Sequence, residues 1–228
     1  MDYNTRYKLA AKLISKGYLI HCTPSDFDKF DPQFIKGGGR GREGYGFYFS
    51  DMPYKPVEYG SNMKIIKKDD FNFLPLTQEI DLSWFDSSEI DIDIAKLEDQ
   101  MNYVRNIREF NYLDSEIKKL KDKREELYPD RDLLSYVKLG IEYGAKNYGA
   151  LDQYILNPTV NLPKLTKVYM SKGYDGGYYD GIYTVWNFEK LNNRLITLSD
   201  EEINEILSEN KKKRIIITED QFKRLILR

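Results

Sequence analysis

His21 is the only imidazole in the chain and Cys22 the only thiol, side by side in Tyr18-Leu-Ile-His-Cys-Thr23. Histidine-dependent chemistry of any kind, whether a Ser-His-Asp relay, a Cys-His pair or a His-ligated metal, must therefore pass through position 21. The bland reading of such a residue is a hydrogen-bonded core histidine closing a strand. One cysteine excludes an intramolecular disulfide, and no Cys/His cluster exists to build a structural zinc site. Further on, Gly39-Arg40-Gly41-Arg42-Glu43-Gly44 matches G-x-G-x-x-G letter for letter. That fingerprint needs a strand before it and a helix after it. Here the aromatic Phe47-Tyr-Phe49 follows, so the dinucleotide-fold reading is set aside. Two readings stay open for this stretch. One is a surface loop; the other is a loop whose glycines approach a ligand while Lys36, Arg40 and Arg42 offer charge to a phosphate. Asp180 is a turn aspartate by its Asp180-Gly181 chemistry. As a strand residue it would instead project a carboxylate onto the face of Ile182, two positions on.

The 228 residues carry 35 Lys+Arg against 37 Asp+Glu, a net charge of -2, which argues against a chain whose main task is gripping phosphate backbones. Charges interspersed through the first twenty residues speak against a signal peptide. Nowhere do 18 apolar residues run together, so no membrane span is predicted. The segment Ile215 to Arg228 resembles short amphipathic tails found on otherwise unrelated phage proteins, and a cytoplasmic location is the expectation, the host cytoplasm if the chain is phage-encoded.

Elements that could position these residues follow from periodicity. Asn4 to Lys16 reads as a short amphipathic helix closed by Gly17. Tyr18 to Thr23 reads as a buried strand ended by Pro24. Phe47 to Phe49 is a second strand, and Asp51 to Tyr59, with Pro53 and Pro56, allows one or two helical turns at most. Met63 to Leu76 reads as a strand and turn. From about 87 to 157 helix-period apolar positions dominate, and an antiparallel helical pair is favoured over a coiled-coil dimer. Leu165 to Met170 and Gly181 to Trp186 read as strands around a turn-rich Gly173 to Gly177. Ser199 with Glu202 opens a capped helix. The expected fold is α+β: one domain over residues 1–210 interrupted by a helical insertion at about 87–157, then a charged linker and amphipathic tail over 211–228. The insertion reads as a packed helical cap or as a segment beside the cleft that selects the substrate. In the tail, Thr218 and Gln221 form a capping box, and it suits either partner docking or packing as a final helix.

The run Gly44-Tyr-Gly-Phe-Tyr-Phe-Ser-Asp-Met-Pro-Tyr-Lys-Pro-Val-Glu-Tyr59 resembles the G-x-G-I-Y-F-A-D, S-K-S and tyrosine signature of diphtheria-toxin-like and poly(ADP-ribose)-polymerase-like ADP-ribosyltransferases. His21-Cys-Thr23 is similar to the upstream H-G-S or H-G-T of that family, and Phe27 and Phe30 to its phenylalanine-bearing loop. Ile182-Tyr-Thr-Val-Trp-Asn187 is similar, at its apolar positions, to the family's last strand. The resemblance covers residues 18 to 76 and about 165 to 198.

The resemblance implies the split β-sheet core of that family, with NAD as substrate, nicotinamide as leaving group and a macromolecular acceptor, protein first; RNA, DNA and small molecules stay open as acceptors, the acidic charge balance weighing against long nucleic acid. His21 would hydrogen-bond the adenosine ribose with Thr23 nearby, Cys22 would hold the nicotinamide amide through its backbone, and Tyr48 and Tyr59 would sandwich the nicotinamide ring. Gly46 belongs to the same signature, and Arg42 in the glycine loop is a candidate phosphate contact. Ile182 stands where the family carries its glutamate, Cys22 where it has glycine, and Pro56 where it has a hydroxyl residue. Loss of a preorganised group of that kind costs on the order of 100- to 1000-fold in rate. Family members with isoleucine there resemble mono-transferases whose acidic acceptor supplies the carboxylate, and Asp180 is a second candidate source. The alternative is a non-catalytic binding or structural module on the same fold, virion-associated in a phage setting. The catalytic expectation thus rests on His21, Tyr48, Asp180 and Ile182, and no metal is expected.

Overall fold

The computed structural model describes residues 1–35, 45–128 and 133–209. The chain is α+β, and among the described residues six strands form one mixed sheet, in the order β3-β1-β2-β6-β5-β4. These are β1 (Tyr18–Thr23), β2 (Phe47–Ser50), β3 (Asn62–Lys67), β4 (Phe73–Pro75), β5 (Gly176–Tyr179) and β6 (Ile182–Val185). Only β4 and β5 pair in parallel. The sheet is not evenly knitted. β1 pairs with β3 along its whole length, from Tyr18↔Lys67 to Thr23↔Asn62, whereas β1 and β2 meet at the single position Ile20↔Ser50. Beyond that point the two strands part, and the sheet opens beside His21, Cys22 and Thr23.

Strand β1 forms as its six residues dictate: an apolar block between the left-handed Gly17, at φ +86°, and Pro24. Its alternation sends Leu19 into a cluster with Phe30, Phe49, Ile66 and Tyr183. Ile20 and Cys22 face the other way, into a cluster with Ile65, Val57 and the buried stripe Leu9, Ala10 and Leu13 of α1 (Tyr3–Ser15). Helix α1 starts on Asp2, whose side chain accepts from the Thr5 amide, as an N-cap should. Pro53 and Pro56 limit α2 to Tyr54–Val57.

The helical segment comprises α3 (Ser88–Met101), α4 (Ile107–Leu127), α5 (Leu133–Glu142), α6 (Tyr148–Tyr154) and α7 (Pro158–Ser171). Helices α3 and α4 form an antiparallel hairpin crossed by Arg124–Asp91 and Lys121–Glu98 ion pairs, both at 2.7 Å. With few buried side chains they stand off the core, while α5 to α7 pack Val137, Leu151, Leu165 and Tyr169 against Leu74, Leu76 and Trp186. Two short helices close the described chain: α8 (Phe188–Asn193) and α9 (Asp200–Ser208), the latter with the Ser199/Glu202 capping box complete.

Two expectations are corrected. Leu165 to Met170, read as a strand, lies inside α7, whose buried Leu162, Leu165, Val168 and Tyr169 show the three- and four-residue spacing of a helix once the window starts earlier. This carries helical character past residue 157. Gly176 and Gly177, read as turn, open β5. A Cβ on Gly176 would lie 2.2 Å from the Thr184 carbonyl oxygen, and one on Gly177 would lie 2.9 Å from Trp186 and Leu76. Glycine here admits close neighbours within a strand.

Candidate functional site

Where β1 and β2 part, the His21 ring bridges them through Nδ1, 2.7 Å from the Tyr48 carbonyl oxygen. A carbonyl only accepts, so Nδ1 carries the proton and Nε2 of the neutral ring keeps a lone pair. Burial pushes the His21 pKa below its ordinary 6.5; the Tyr48 carbonyl opposes this by favouring the cation, and the Lys64 charge reinforces it. The ring is seated against Phe30, edge-on at 5.2 Å between centroids, and Phe49 at 5.6 Å.

Two clefts flank this bridge and share His21, Thr23 and Tyr48 in their walls. The smaller, about 530 Å³, is walled by Cys22, Tyr48, Tyr59, Pro56 and Ile182. The larger, about 740 Å³, is walled by the loop after β1, including Phe27, Phe30 and Phe34, and by Gly46 and Leu162 of α7. A slot bounded by tyrosines suits a flat or cationic ring. Among the described residues, the lining of the smaller cleft includes the cation Lys55 and no carboxylate.

Every expected site residue but Arg42 can be placed. Cys22 buries its side chain in the α1 cluster, and burial raises its thiol pKa to about 11, so it is neither nucleophile nor obstruction. Thr23 lies at the end of β1 in both walls, its hydroxyl accepting from the Ser25 amide at 3.2 Å. Tyr59 is 74% exposed. Its neighbour Gly60 is pressed onto the end of β1, where a Cβ would lie 2.0 Å from the Thr23 carbonyl carbon, and this close approach sets Tyr59 at the cleft. Gly46, at φ +153°, likewise abuts Thr184 and the Val185 carbonyl, both 2.6 Å from a would-be Cβ.

Ile182 starts β6 directly opposite Ser50. The Ser50 hydroxyl donates to the Gly181 carbonyl at 2.9 Å, and Tyr183 donates its hydroxyl to Asp51 at 2.7 Å, so the end of β2 is tied to the β5–β6 turn. Burial and the Asp51 carboxylate raise the Tyr183 pKa well above normal. Of the two readings of Asp180, the structure shows the turn. The residue occupies the turn itself, in the left-handed region at φ +46°, exposed and outside β6, so strand alternation does not carry its carboxylate onto the Ile182 face. It is absent from the described linings of both clefts. Arg42, the glycine loop and the 211–228 tail lie outside the described residues.

Three residues that sequence reasoning passed over hold the site together. Lys64 of β3, in register with His21, donates to the Phe27 carbonyl and lies 3.3 Å from Asp26. Asn192 of α8 bonds both backbone groups of Phe30, accepting from its amide at 2.8 Å and donating to its carbonyl at 2.9 Å. Gly60 is the third. Asn192 had no local signal at all, being 162 residues from its partner.

Among the described residues no cluster of three or more His, Cys, Asp or Glu could hold a metal, and no helix is long and apolar enough to cross a membrane. Comparison with protein-family models, with curated proteins and with solved structures finds no match.

Proposed function

We propose that this chain is an NAD-dependent mono-ADP-ribosyltransferase of the diphtheria-toxin/poly(ADP-ribose)-polymerase-like class, acting on a macromolecular acceptor, protein first. One observation carries the reading: His21, bridged to the Tyr48 carbonyl at 2.7 Å, stands in the opening between β1 and β2 with a cleft on either side. A dinucleotide laid across this opening would put its adenosine ribose against His21 and Thr23. Its nicotinamide would enter the smaller cleft, held by the Cys22 backbone between Tyr48 and Tyr59. The pyridinium ring is attracted to tyrosine faces. As the glycosidic C–N bond breaks, its electron pair leaves with neutral nicotinamide, and an acceptor oxygen bonds the oxocarbenium-like ribose carbon after giving up its proton. With Ile182 in the wall and no carboxylate among the described residues of the lining, an acidic acceptor supplies the compensating charge.

The test is incubation with labelled NAD and candidate acceptors, following label transfer and nicotinamide release. Wild type transfers and Tyr48→Ala does not; absence of both NAD binding and nicotinamide release in wild type overturns the reading. The absence of a carboxylate among the described lining residues also favours a second reading, a non-catalytic module that binds NAD without cleaving it. Calorimetric binding with no nicotinamide released would select that one.

A further inference from the structure

The loop that walls the larger cleft is fastened at three points by elements distant in sequence. Asn62 of β3 donates to the Pro24 carbonyl at 3.0 Å, and Lys64 holds the Phe27 carbonyl. The third fastening is the pair of bonds between the Asn192 amide and the Phe30 backbone. A side-chain amide that both accepts from an N–H and donates to the C=O of one residue does what a neighbouring strand would do, in a segment that has no strand beside it. Phe30 is the keystone of the loop. It is 2% exposed and touches His21 edge-on, with Phe27, Phe47 and Phe49 at 4.9, 4.6 and 5.6 Å.

We infer that Asn192 is a positioning residue that, through Phe30, seats the His21 ring and holds the 24–35 loop as the wall of the larger cleft. Its effect on dinucleotide affinity rests on the NAD reading given above; its effect on His21 does not. Releasing Phe30 removes the aromatic cover from one side of the imidazole and admits water. The groups facing that ring are the neutral Phe30 and Phe49, the Tyr48 carbonyl, and Lys64 of β3 with Asp26 beyond it. With burial the leading cause of the low His21 pKa, uncovering the ring moves it back toward 6.5.

The chain's single histidine makes the test direct, because one imidazole gives one set of NMR signals. Titration of wild type, Asn192→Ala and Asn192→Asp is followed together with binding of NAD and of free nicotinamide. In Asn192→Ala the His21 titration shifts upward and NAD binds about tenfold more weakly, the worth of the lost pair of bonds, while nicotinamide affinity is unchanged. Asn192→Asp keeps an acceptor for the Phe30 amide but turns a carboxylate oxygen toward the Phe30 carbonyl, so it loosens the loop as well. A folded Asn192→Ala whose His21 titrates as in wild type overturns the inference. Should that variant fail to fold, Asn192→Asp decides by the same titration and by hydrogen exchange of the 24–35 amides: faster exchange confined there supports it, and unchanged exchange and titration refute it. A wild type that binds no NAD defeats the functional reading alone, since the titration arm still decides the role of Asn192.

Discussion

The Nδ1–H of His21 donates to the Tyr48 carbonyl at 2.7 Å, just past Ile20↔Ser50, the one position where β1 and β2 are paired. The bond fixes one tautomer and leaves Nε2 as an acceptor at neutral pH. Because burial depresses the His21 pKa, the unfolded chain binds a proton more readily than the folded one below 6.5. This contribution to stability is therefore complete above 6.5 and is lost as pH falls through the folded-state value. Denaturant unfolding of wild type and His21→Gln across about pH 5 to 8 measures it. Wild type should lose stability relative to the variant on acidification; parallel curves would refute the assignment.

Gly60 carries a second prediction. A methyl group there meets backbone of Thr23 and Pro24, at 2.0 to 2.4 Å, rather than a side chain that can swing away. The strand end or the Tyr59 turn must shift. Gly60→Ala should destabilise the fold by about 1–3 kcal/mol, the usual cost of overpacking, and weaken binding of an aromatic cation in the smaller cleft. Melting curves and nicotinamide binding check it. A variant as stable as wild type, with unchanged ligand affinity, would show that the turn yields freely.

Much of the frame was legible because its signals are local. An apolar block bounded by Gly17 and Pro24 gave β1, the two prolines of 51–59 gave a stunted helix, and Ser199 with Glu202 gave a capped one. What stayed hidden was set by partners remote in the chain. Gly176 and Gly177 look like turn residues until Thr184, Phe73 and Trp186 are seen filling the space where side chains would go. The segment from Leu165 looked like a strand because the helical stripe that includes it begins at Leu162. At the site, residue type alone reads His21, Tyr48 and Tyr59 as core residues; only the resemblance to the ADP-ribosyltransferase signature groups them with Ile182, and the four line one cleft. The alternation rule failed for Asp180 because a single left-handed residue interrupts the strand. No pattern within a window could link Asn192 to Phe30.

Asp152 on α6 yields a stability prediction independent of the clefts. It is 6% exposed and its Oδ1 has no hydrogen-bond partner. Burial raises its pKa well above 3.8, with no neighbouring charge to offset it. The folded state thus holds a proton that the unfolded chain releases, and stability falls as pH rises from 3.8 toward the folded-state value. Asp152→Asn keeps the shape and cannot ionise. It should match wild type near the acid end of that window and exceed it at neutral pH. Equal pH slopes for the two proteins would mean that Asp152 finds a partner in solution.

The last prediction concerns the charge missing from the smaller cleft. Ile182 begins β6 opposite Ser50 in the wall of that cleft, half-buried and reachable from its mouth, so a glutamate there can keep contact with water when no ligand is bound. Once the glycosidic bond of NAD stretches, this carboxylate would lie beside the developing positive charge, where one preorganised group is worth on the order of 100-fold in rate. Ile182→Glu should therefore raise nicotinamide release from NAD by about that factor, with water as the acceptor. Asp180→Asn is the companion variant, since asparagine accepts the left-handed turn at φ +46° while removing the charge. It should leave both transfer and nicotinamide release at the wild-type rate. A loss of activity in Asp180→Asn would return the carboxylate role to the turn. If Ile182→Glu binds NAD as wild type does yet gains no release, the nicotinamide ribose does not lie against residue 182.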